Sequence, residues 1–152
     1  SGADYTDELA LGGRFSCAYI GEGGMVSCWG LALDGSATTQ ANATAAFIDA
    51  PAAVGAGEAM ACAITAGGGV RCWGTGMMGN GNVNESQAAP TAVGGLAGAL
   101  AMAGGQGHSC VLRQGGSLVC WGGNDAYQLG TGDSVARTTP TEVTLAGGFW
   151  RP

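Results

Sequence analysis

The feature that most constrains the fold is a block that occurs three times along the chain. Each copy has two cysteines separated by nine or ten residues, and the second cysteine is followed directly by Trp-Gly. The copies span residues 17–30, 62–74 and 110–122, which places the tryptophans 44 and 48 residues apart. Such a period is typical of repeat architectures, in which each copy of one supersecondary unit needs its neighbours to bury its apolar face.

The composition favours an all-β fold. The chain has 31 glycines in 152 residues, and glycine inside a helix destabilises it, whereas turns use glycine freely. A glycine cluster lies between the cysteines of every copy, at residues 21–24, 67–69 and 115–116, with short β-prone runs on both sides. This pattern predicts a β-hairpin in each copy.

All six cysteines lie in the repeated block, two in each copy. Because every copy should form the same local structure, the sequence predicts the pairs Cys17–Cys28, Cys62–Cys72 and Cys110–Cys120. Opposed positions of an antiparallel hairpin lie within the Cα separation that a disulfide accepts. Each bond would stabilise its hairpin by about 2–3 kcal/mol on the chain-entropy model. Disulfides indicate an oxidising compartment, so we expect an extracellular, periplasmic or cell-surface location.

Two alternatives remain open for the cysteines at this stage. Zinc sites use closely spaced pairs such as C-x2-C and often histidines, but His108 is the single histidine of the chain. Buried free thiols are the other alternative. We expect no metal and no cofactor.

The sequence around each block predicts a four-stranded blade. A glycine-containing step precedes the first cysteine, and a polar loop after Trp-Gly leads to a proline with a valine three positions later. We therefore expect a single repeat domain over residues 1–152, with approximate repeats at 6–50, 51–89 and 90–139 and a C-terminal stub at 140–152. The proline–valine pairs are Pro51 with Val54, Pro90 with Val93, and Pro140 with Val143.

The third copy resembles the repeat of the regulator-of-chromosome-condensation family. It contains Ala-Gly-Gly at 103–105, His-Ser-Cys-Val-Leu at 108–112, Val-Cys-Trp-Gly at 119–122, Asn124, and Gln-Leu-Gly-Thr-Gly-Asp at 128–133. The family pattern is A-G-G-x-H-S-C-A-L followed by C-W-G-x-N-x-x-G-Q-L-G-x-G. The second copy matches with a shortened loop, and the first keeps its hairpin but has a longer segment, residues 31–50, after Trp-Gly. The doubled cysteines resemble secreted bacterial relatives.

The resemblance implies a β-propeller, here three four-stranded blades in a partial ring or arc followed by the restart of a fourth repeat. It does not transfer the exchange-factor activity of the nuclear family member, because no loop here matches that activity residue by residue. A secreted β-lactamase inhibitor with a similar ring implies that the scaffold serves as a protein-binding face.

A three-blade arc would leave two blade faces exposed, because propellers close with about 4–8 blades. Residues 141–148 repeat the pattern of residues 6–13, so we expect the stub to dock on a neighbouring chain and to produce a homo-oligomer, either a closed ring or a filament. A fragment of a longer ring, or an arc that caps itself, is the alternative. The candidate interface residues are Thr141, Val143, Leu145, Phe149 and Trp150.

Several single residues have a structural and a functional interpretation. Trp29, Trp73 and Trp121 share one register, which favours packing between blades over ligand stacking. His108 favours a hydrogen-bonded structural role, since no catalytic partner recurs beside it. The segment 80–85 is weakly similar to a calcium loop but is better explained as a solvated loop. Asn42 and Asn84 begin glycosylation sequons.

The charge balance limits the classes of partner that we expect this chain to bind. The net charge is −6 and the chain has no lysine, so nucleic-acid binding is not expected, nor is membrane insertion, because glycines interrupt the apolar runs. No acid–base or nucleophile constellation is apparent, so the sequence predicts no enzyme and no catalytic residues. Two functions remain: a protein-interaction scaffold, and a self-assembling structural protein of a cell-surface layer or filament.

Overall fold

The structure, a computed structural model, describes residues 8–19, 24–31, 33, 39–48, 51–83 and 85–144. Within these ranges the chain forms twelve β-strands and one short 3-10 turn at Gln114–Gly116. The strands build three four-stranded sheets in which consecutive strands pair antiparallel. The predicted all-β arrangement of three four-stranded blades is confirmed.

The three sheets repeat one meander. The first contains β1 (Glu8–Leu11), β2 (Phe15–Tyr19), β3 (Met25–Leu31) and β4 (Thr39–Phe47). The second contains β5 (Pro51–Ala56), β6 (Met60–Thr65), β7 (Val70–Gly76) and β8 (Glu85–Ala92). The third contains β9 (Ala99–Gly104), β10 (His108–Arg113), β11 (Leu118–Gly122) and β12 (Arg137–Glu142).

The sheet boundaries differ from the expected repeat boundaries at the prolines. Pro90 and Pro140 lie inside the last strands of the second and third sheets, not at the start of a new repeat. The residues after them, Thr91 and Thr141, are paired with the second cysteine of each sheet. Pro51 instead opens the first strand of the second sheet. Both placements suit proline, because outer strands and strand starts need no ladder hydrogen bond from its nitrogen.

The alternation of side chains gives each sheet two distinct faces. Cys28 and Trp29 are adjacent, so they point to opposite faces, and the same holds in the other copies. We call the side that carries the disulfide the cysteine face, and the side that carries the tryptophan the tryptophan face. The first and second sheets each pack their cysteine face against the tryptophan face of the next sheet.

Two clusters of buried side chains among the described residues show this packing. The cluster between the first and second sheets joins the first disulfide to Trp73, and the cluster between the second and third joins the second disulfide to Trp121. The first cluster consists of Ala10, Phe15, Cys17, Val26, Cys28, Ile48, Val54, Ala61, Ala63 and Trp73. The second consists of Ala53, Met60, Cys62, Ile64, Val70, Cys72, Met78, Val93, Ala99, Val111, Val119 and Trp121.

The glycine after each tryptophan is required by the backbone. Gly30, Gly74 and Gly122 have φ values of 105°, 116° and 111°, a region that side chains disfavour. The pairing register shifts at this point in every sheet. A Cβ on Gly122 would also clash with the carbonyl oxygen of Gly107. The recurring Trp-Gly therefore marks a bulge in the pairing between the third and fourth strands of each blade.

Candidate interaction surfaces

The three disulfides lie in the central hairpin of each sheet and join the predicted cysteine pairs. In each hairpin the two cysteines are directly opposite one another. Their Cα atoms are 4.0–4.1 Å apart, the close spacing of a non-hydrogen-bonded antiparallel pair. All six thiols are therefore used, which removes the zinc and free-thiol alternatives for the cysteines. Over the described ranges, no His, Cys, Asp or Glu side chains gather as a metal site would require.

The three repeat tryptophans have different environments. Trp73 is 3% exposed and Trp121 is fully buried, each against the cysteine face of the preceding sheet. Trp29 is 36% exposed. Among the described residues, packing between blades is therefore present at Trp73 and Trp121 but not at Trp29. The physical reason is that, in the described part of the chain, no sheet lies against the tryptophan face of the first sheet.

That open tryptophan face is apolar. Leu9, Leu11, Met25 and Trp29 are all exposed large hydrophobic residues. Leu9 pairs with Ala18 and Leu11 with Ser16, so these side chains share the face of Trp29 with small neighbours. An apolar sheet face rimmed by small polar residues is typical of an interaction surface. The face consists of Leu9, Leu11, Ser16, Ala18, Met25, Ser27 and Trp29.

The opposite end of the stack has an open cysteine face on the third sheet. Leu112 is 41% exposed, whereas Ile64, its counterpart two residues after the first cysteine of the second sheet, is 1% exposed. Leu112 pairs with Leu118 and with Ala101, which places all three on this face. The face consists of Ala101, Ala103, His108, Cys110, Leu112 and Leu118, with Cys120 on the same side but buried, at 2% exposure.

His108 begins the second strand of the third sheet. Its Nδ1 lies 3.4 Å from the carbonyl oxygen of Gln106, and its ring covers Gly105, where a Cβ would clash with it. Phe15 takes the same position over Gly12 in the first sheet. The ring therefore fills space above a glycine, which supports the structural interpretation of His108.

A shallow depression of about 360 Å³ lies where the first strands of the three sheets end. Its lining backbone is largely satisfied internally: the Gly13 N–H donates to the carbonyls of Gly57 and Glu58, and Gly105 donates to His108. Glu58 is the single charged side chain in the lining. The depression thus offers few free polar groups, and it ranks below the two open faces as a binding site. It is lined by residues 11–13, 56–58 and 104–106.

Asn124 organises the long loop between β11 and β12. Its side chain is buried and donates to the carbonyl oxygens of Asp133, at 2.7 Å, and Val135, at 3.1 Å. Its Oδ1 accepts a 2.9 Å hydrogen bond from the Leu129 N–H. In the sequence, Asn124 stands out only as part of the family pattern. Its role as the hub of the loop follows from the buried amide, which must find partners on all sides.

The charged side chain of Asp133 stabilises the same loop. Its carboxylate accepts a 2.7 Å bond from Arg137 and a 2.9 Å bond from the Val135 N–H. The Arg137 hydrogen bond, followed by the Val135 backbone bond, lowers the pKa of Asp133 below its ordinary value. The loop is therefore held by polar contacts, and Tyr127, 65% exposed with φ 61°, projects from it.

Two of the five predicted interface residues lie within the described ranges, which end at residue 144. Thr141 is in β12 and Val143 donates to the Leu118 carbonyl at 2.9 Å, so both are bound to the third sheet of their own chain. The expectation that they dock on another chain is therefore corrected, because they complete the outer edge of the third blade. Leu145, Phe149 and Trp150 lie outside the described residues.

The loop residues considered for calcium or glycosylation are only partly described. Asn80 Oδ1 accepts a 3.2 Å hydrogen bond from the Asn82 N–H, which is a local turn. Asn42 lies in β4, and Asn84 is outside the described residues. In the described part of the chain, no helix is long and apolar enough to cross a membrane.

Models of known protein families match part of this chain. Two family models, both described as the regulator of chromosome condensation (RCC1) repeat, match residues 100–128 and 115–151. Residues 100–151 of this chain therefore match the RCC1 repeat. The curated proteins give no match.

Solved RCC1-type structures share the fold. Prp20p from Saccharomyces cerevisiae is 17% identical, with a TM-score of 0.79 over 91% of this chain and 38% of its own length. Human WBSCR16 is 23% identical, with a TM-score of 0.77 over 91% of this chain and 39% of its own length. The chain thus spans less than two fifths of these RCC1-type structures. At these identities the likeness concerns the fold alone.

Proposed function

We propose that this chain is a non-enzymatic, extracellular protein-interaction scaffold that assembles with further copies or chains. One observation carries the proposal: Trp29 has the register of two buried tryptophans but lies on an open apolar sheet face. Large aromatic side chains in apolar surroundings dominate binding energy at protein interfaces. A protein that covers this face would bury Trp29 as Trp73 and Trp121 are buried.

The charge and the fold family support a protein partner. With no lysine and a net charge of −6, the chain lacks the cationic surface that nucleic acids and anionic membranes need. The structure of Prp20p is described together with its binding to Gsp1p and histones. That is a property of Prp20p, and it supports for this chain only the general class of protein binding.

The disulfides support the extracellular part of the proposal, because reducing compartments keep such thiols free. Mass measurement of the protein from its native source, without reductant, should show six fewer hydrogens than the reduced chain. Six thiols that react with an alkylating agent under the same conditions would contradict the extracellular location.

The interaction is tested by comparing the intact chain with Trp29→Ser as baits in the native extracellular fraction. We expect a protein that is retained by the intact chain and lost with Trp29→Ser, and that binds again when both components are purified. Val135→Ser is the matched control, since Val135 is exposed on a loop away from the face. If the purified partner binds both baits equally, the tryptophan face is not the binding surface.

Self-assembly into a surface layer or filament is the second candidate. It is favoured by the presence of two open faces at opposite ends of one stack, which a single partner bound to Trp29 would not cover. Electron microscopy of the purified chain separates large regular particles from a small complex.

A further inference from the structure

We propose that the tryptophan face of the first sheet binds the cysteine face of the third sheet of a second copy, head to tail. This inference rests on the proposed function and names its partner. The same pair of faces already packs twice inside the chain, once around Trp73 and once around Trp121. The two ends of the stack therefore expose the two halves of a junction that the chain has built internally.

The pairing registers show that the halves correspond residue by residue. Leu112 is the counterpart of Ile64 and Tyr19, both of which pack against the next sheet. Leu9 is the counterpart of Val54 and Met102, because all three pair with the residue that follows a first cysteine. Trp29 would thus meet the Cys110–Cys120 disulfide as Trp121 meets Cys62–Cys72.

The chemistry of the two faces is compatible. The tryptophan face carries leucine, methionine, tryptophan, alanine and serine, and the cysteine face carries alanine, leucine, half-cystine and His108. These residues of the first three strands include no carboxylate and no guanidinium, so this part of the junction desolvates no formal charge. Two like faces would leave half of these surfaces open, whereas a head-to-tail contact covers both kinds.

Leu11 is the position where the new junction differs from the internal ones. Its counterparts are Ala56 and Gly104, each paired with the residue before a first cysteine. A Cβ on Gly104 would clash with the Ala56 carbonyl and lie 2.7 Å from the Gly57 Cα, so the backbones of adjacent sheets are very close there. A leucine therefore holds the first strands of two copies farther apart than those within one copy.

The described residues of two copies joined this way form six sheets, which lies within the roughly 4–8 blades of closed propellers. A second, identical contact then closes the ring, while an arc with the wrong rotation adds further copies as a filament. Both products use the same pair of faces, and sedimentation velocity distinguishes them by size.

Complementation between two interface variants tests the proposal. Trp29→Glu spoils the tryptophan face, and Leu112→Glu spoils the cysteine face. Each variant alone should sediment as a monomer, with self-association weakened on the order of a hundredfold. Their equimolar mixture should form a one-to-one dimer and nothing larger, because one intact face of each kind remains. Val135→Glu, on an exposed loop, is the control and should assemble as the unaltered chain does.

Three results would overturn the head-to-tail contact: an unaltered chain that stays monomeric when concentrated, single variants that assemble normally, or a mixture that remains monomeric. Intact mass and circular dichroism confirm that the variants keep their disulfides and sheets. A monomeric chain that still captures another protein through Trp29 would refute the second copy but keep the proposed function. Capture of nothing would refute both.

The Leu11→Ala variant tests how closely the contact between two copies follows the internal junction. If the contact repeats the internal junction, alanine matches Ala56, so the variant should associate more tightly than the unaltered chain by about tenfold. Weaker association would show that Leu11 is itself a contact and that the copies do not pack as the internal sheets do.

Discussion

Trp121 and Trp29 occupy the same position in their sheets, yet one is fully buried and the other is 36% exposed. Trp121 lies against the second disulfide of the preceding sheet, whereas Trp29 faces away from the stack. Both are followed by a glycine with positive φ, so their local backbones are alike. The comparison shows that the repeat sets the direction of a side chain, while the neighbouring sheet decides whether that side chain supports folding or remains available for binding.

The largest difference is expected when each tryptophan is removed. Trp121→Ala should lower the free energy of unfolding by about 3–5 kcal/mol, because it leaves a large cavity between two packed sheets. Trp29→Ala should cost less, about 1 kcal/mol, since 36% of Trp29 is already exposed and its loss leaves no cavity between two sheets. Denaturant unfolding of dilute, oxidised protein measures both. Equal losses would mean that Trp29 is buried in solution.

The disulfides extend the comparison to the sheet faces. Removing Cys62–Cys72 or Cys110–Cys120 by paired alanine substitutions should cost about 2–3 kcal/mol in each case, because the two loops have the same length of 10 residues. The Cys62–Cys72 variant should lose about 1–2 kcal/mol more, since its sulfurs pack against Trp121 and leave a cavity. Thermal unfolding ranks the two variants, and the opposite order would argue that the third cysteine face is covered.

The loop of the third sheet gives a smaller, favourable effect. Tyr127 takes the place of the glycine before Gln-Leu-Gly in the family pattern, with φ 61° and an exposed ring. Tyr127→Gly should therefore raise the free energy of unfolding by about 0.5–1 kcal/mol through relief of backbone strain. Ala126→Gly is the control and should not stabilise the protein. A loss of stability in Tyr127→Gly would show that the ring makes contacts of its own.

The smallest effect concerns pH and Asp133. The pKa of its carboxyl is lower in the folded protein than the ordinary value of 3.8, so ionised Asp133 stabilises the loop above that pH. The contribution should fade as the pH falls below 3.8 toward the folded pKa. The protection factor of the Val135 amide, which donates to Asp133, should then fall, measured relative to the intrinsic exchange rate at each pH because exchange itself slows in mild acid. Asp133→Asn should remove this pH dependence, and an unchanged profile in that variant would exclude Asp133 as the cause.

The hairpins and their disulfides could be predicted because they are local. Each pair is separated by 10 or 11 positions in sequence and is bracketed by glycines, so a single copy of the repeat contains all the information that the pairing needs. The bulge at Gly122 is similarly encoded by its Trp-Gly dipeptide.

The partners of the outer strands could not be predicted in the same way. Pro51, Pro90 and Pro140 look alike in sequence, but the first opens a sheet and the other two lie in the last strand of one. Strand pairing across a long loop depends on register, which a proline–valine spacing does not fix. For the same reason the repeated pattern at residues 141–148 favours a connector between chains, whereas Thr141 pairs with Cys120 of its own chain.

The exposure of Trp29 and Leu112 required the whole stack. A signal was present in the sequence, since Trp29 has the same repeat register as Trp73 and Trp121, both of which are buried. What was missing is which face of each blade meets which neighbour. That information comes from the packing between two sheets, and a single repeat contains only one side of each contact.

Each disulfide joins neighbouring strands of one sheet, and none joins one sheet to another. Under a pulling force between its two ends, the chain would therefore separate at the packed junctions while every hairpin stays shut. Each closed bond withholds about ten residues, roughly 35 Å of extensible chain, from the stretched length. Reduction would release that reserve blade by blade, so the redox state of the surroundings sets how far the protein extends under load.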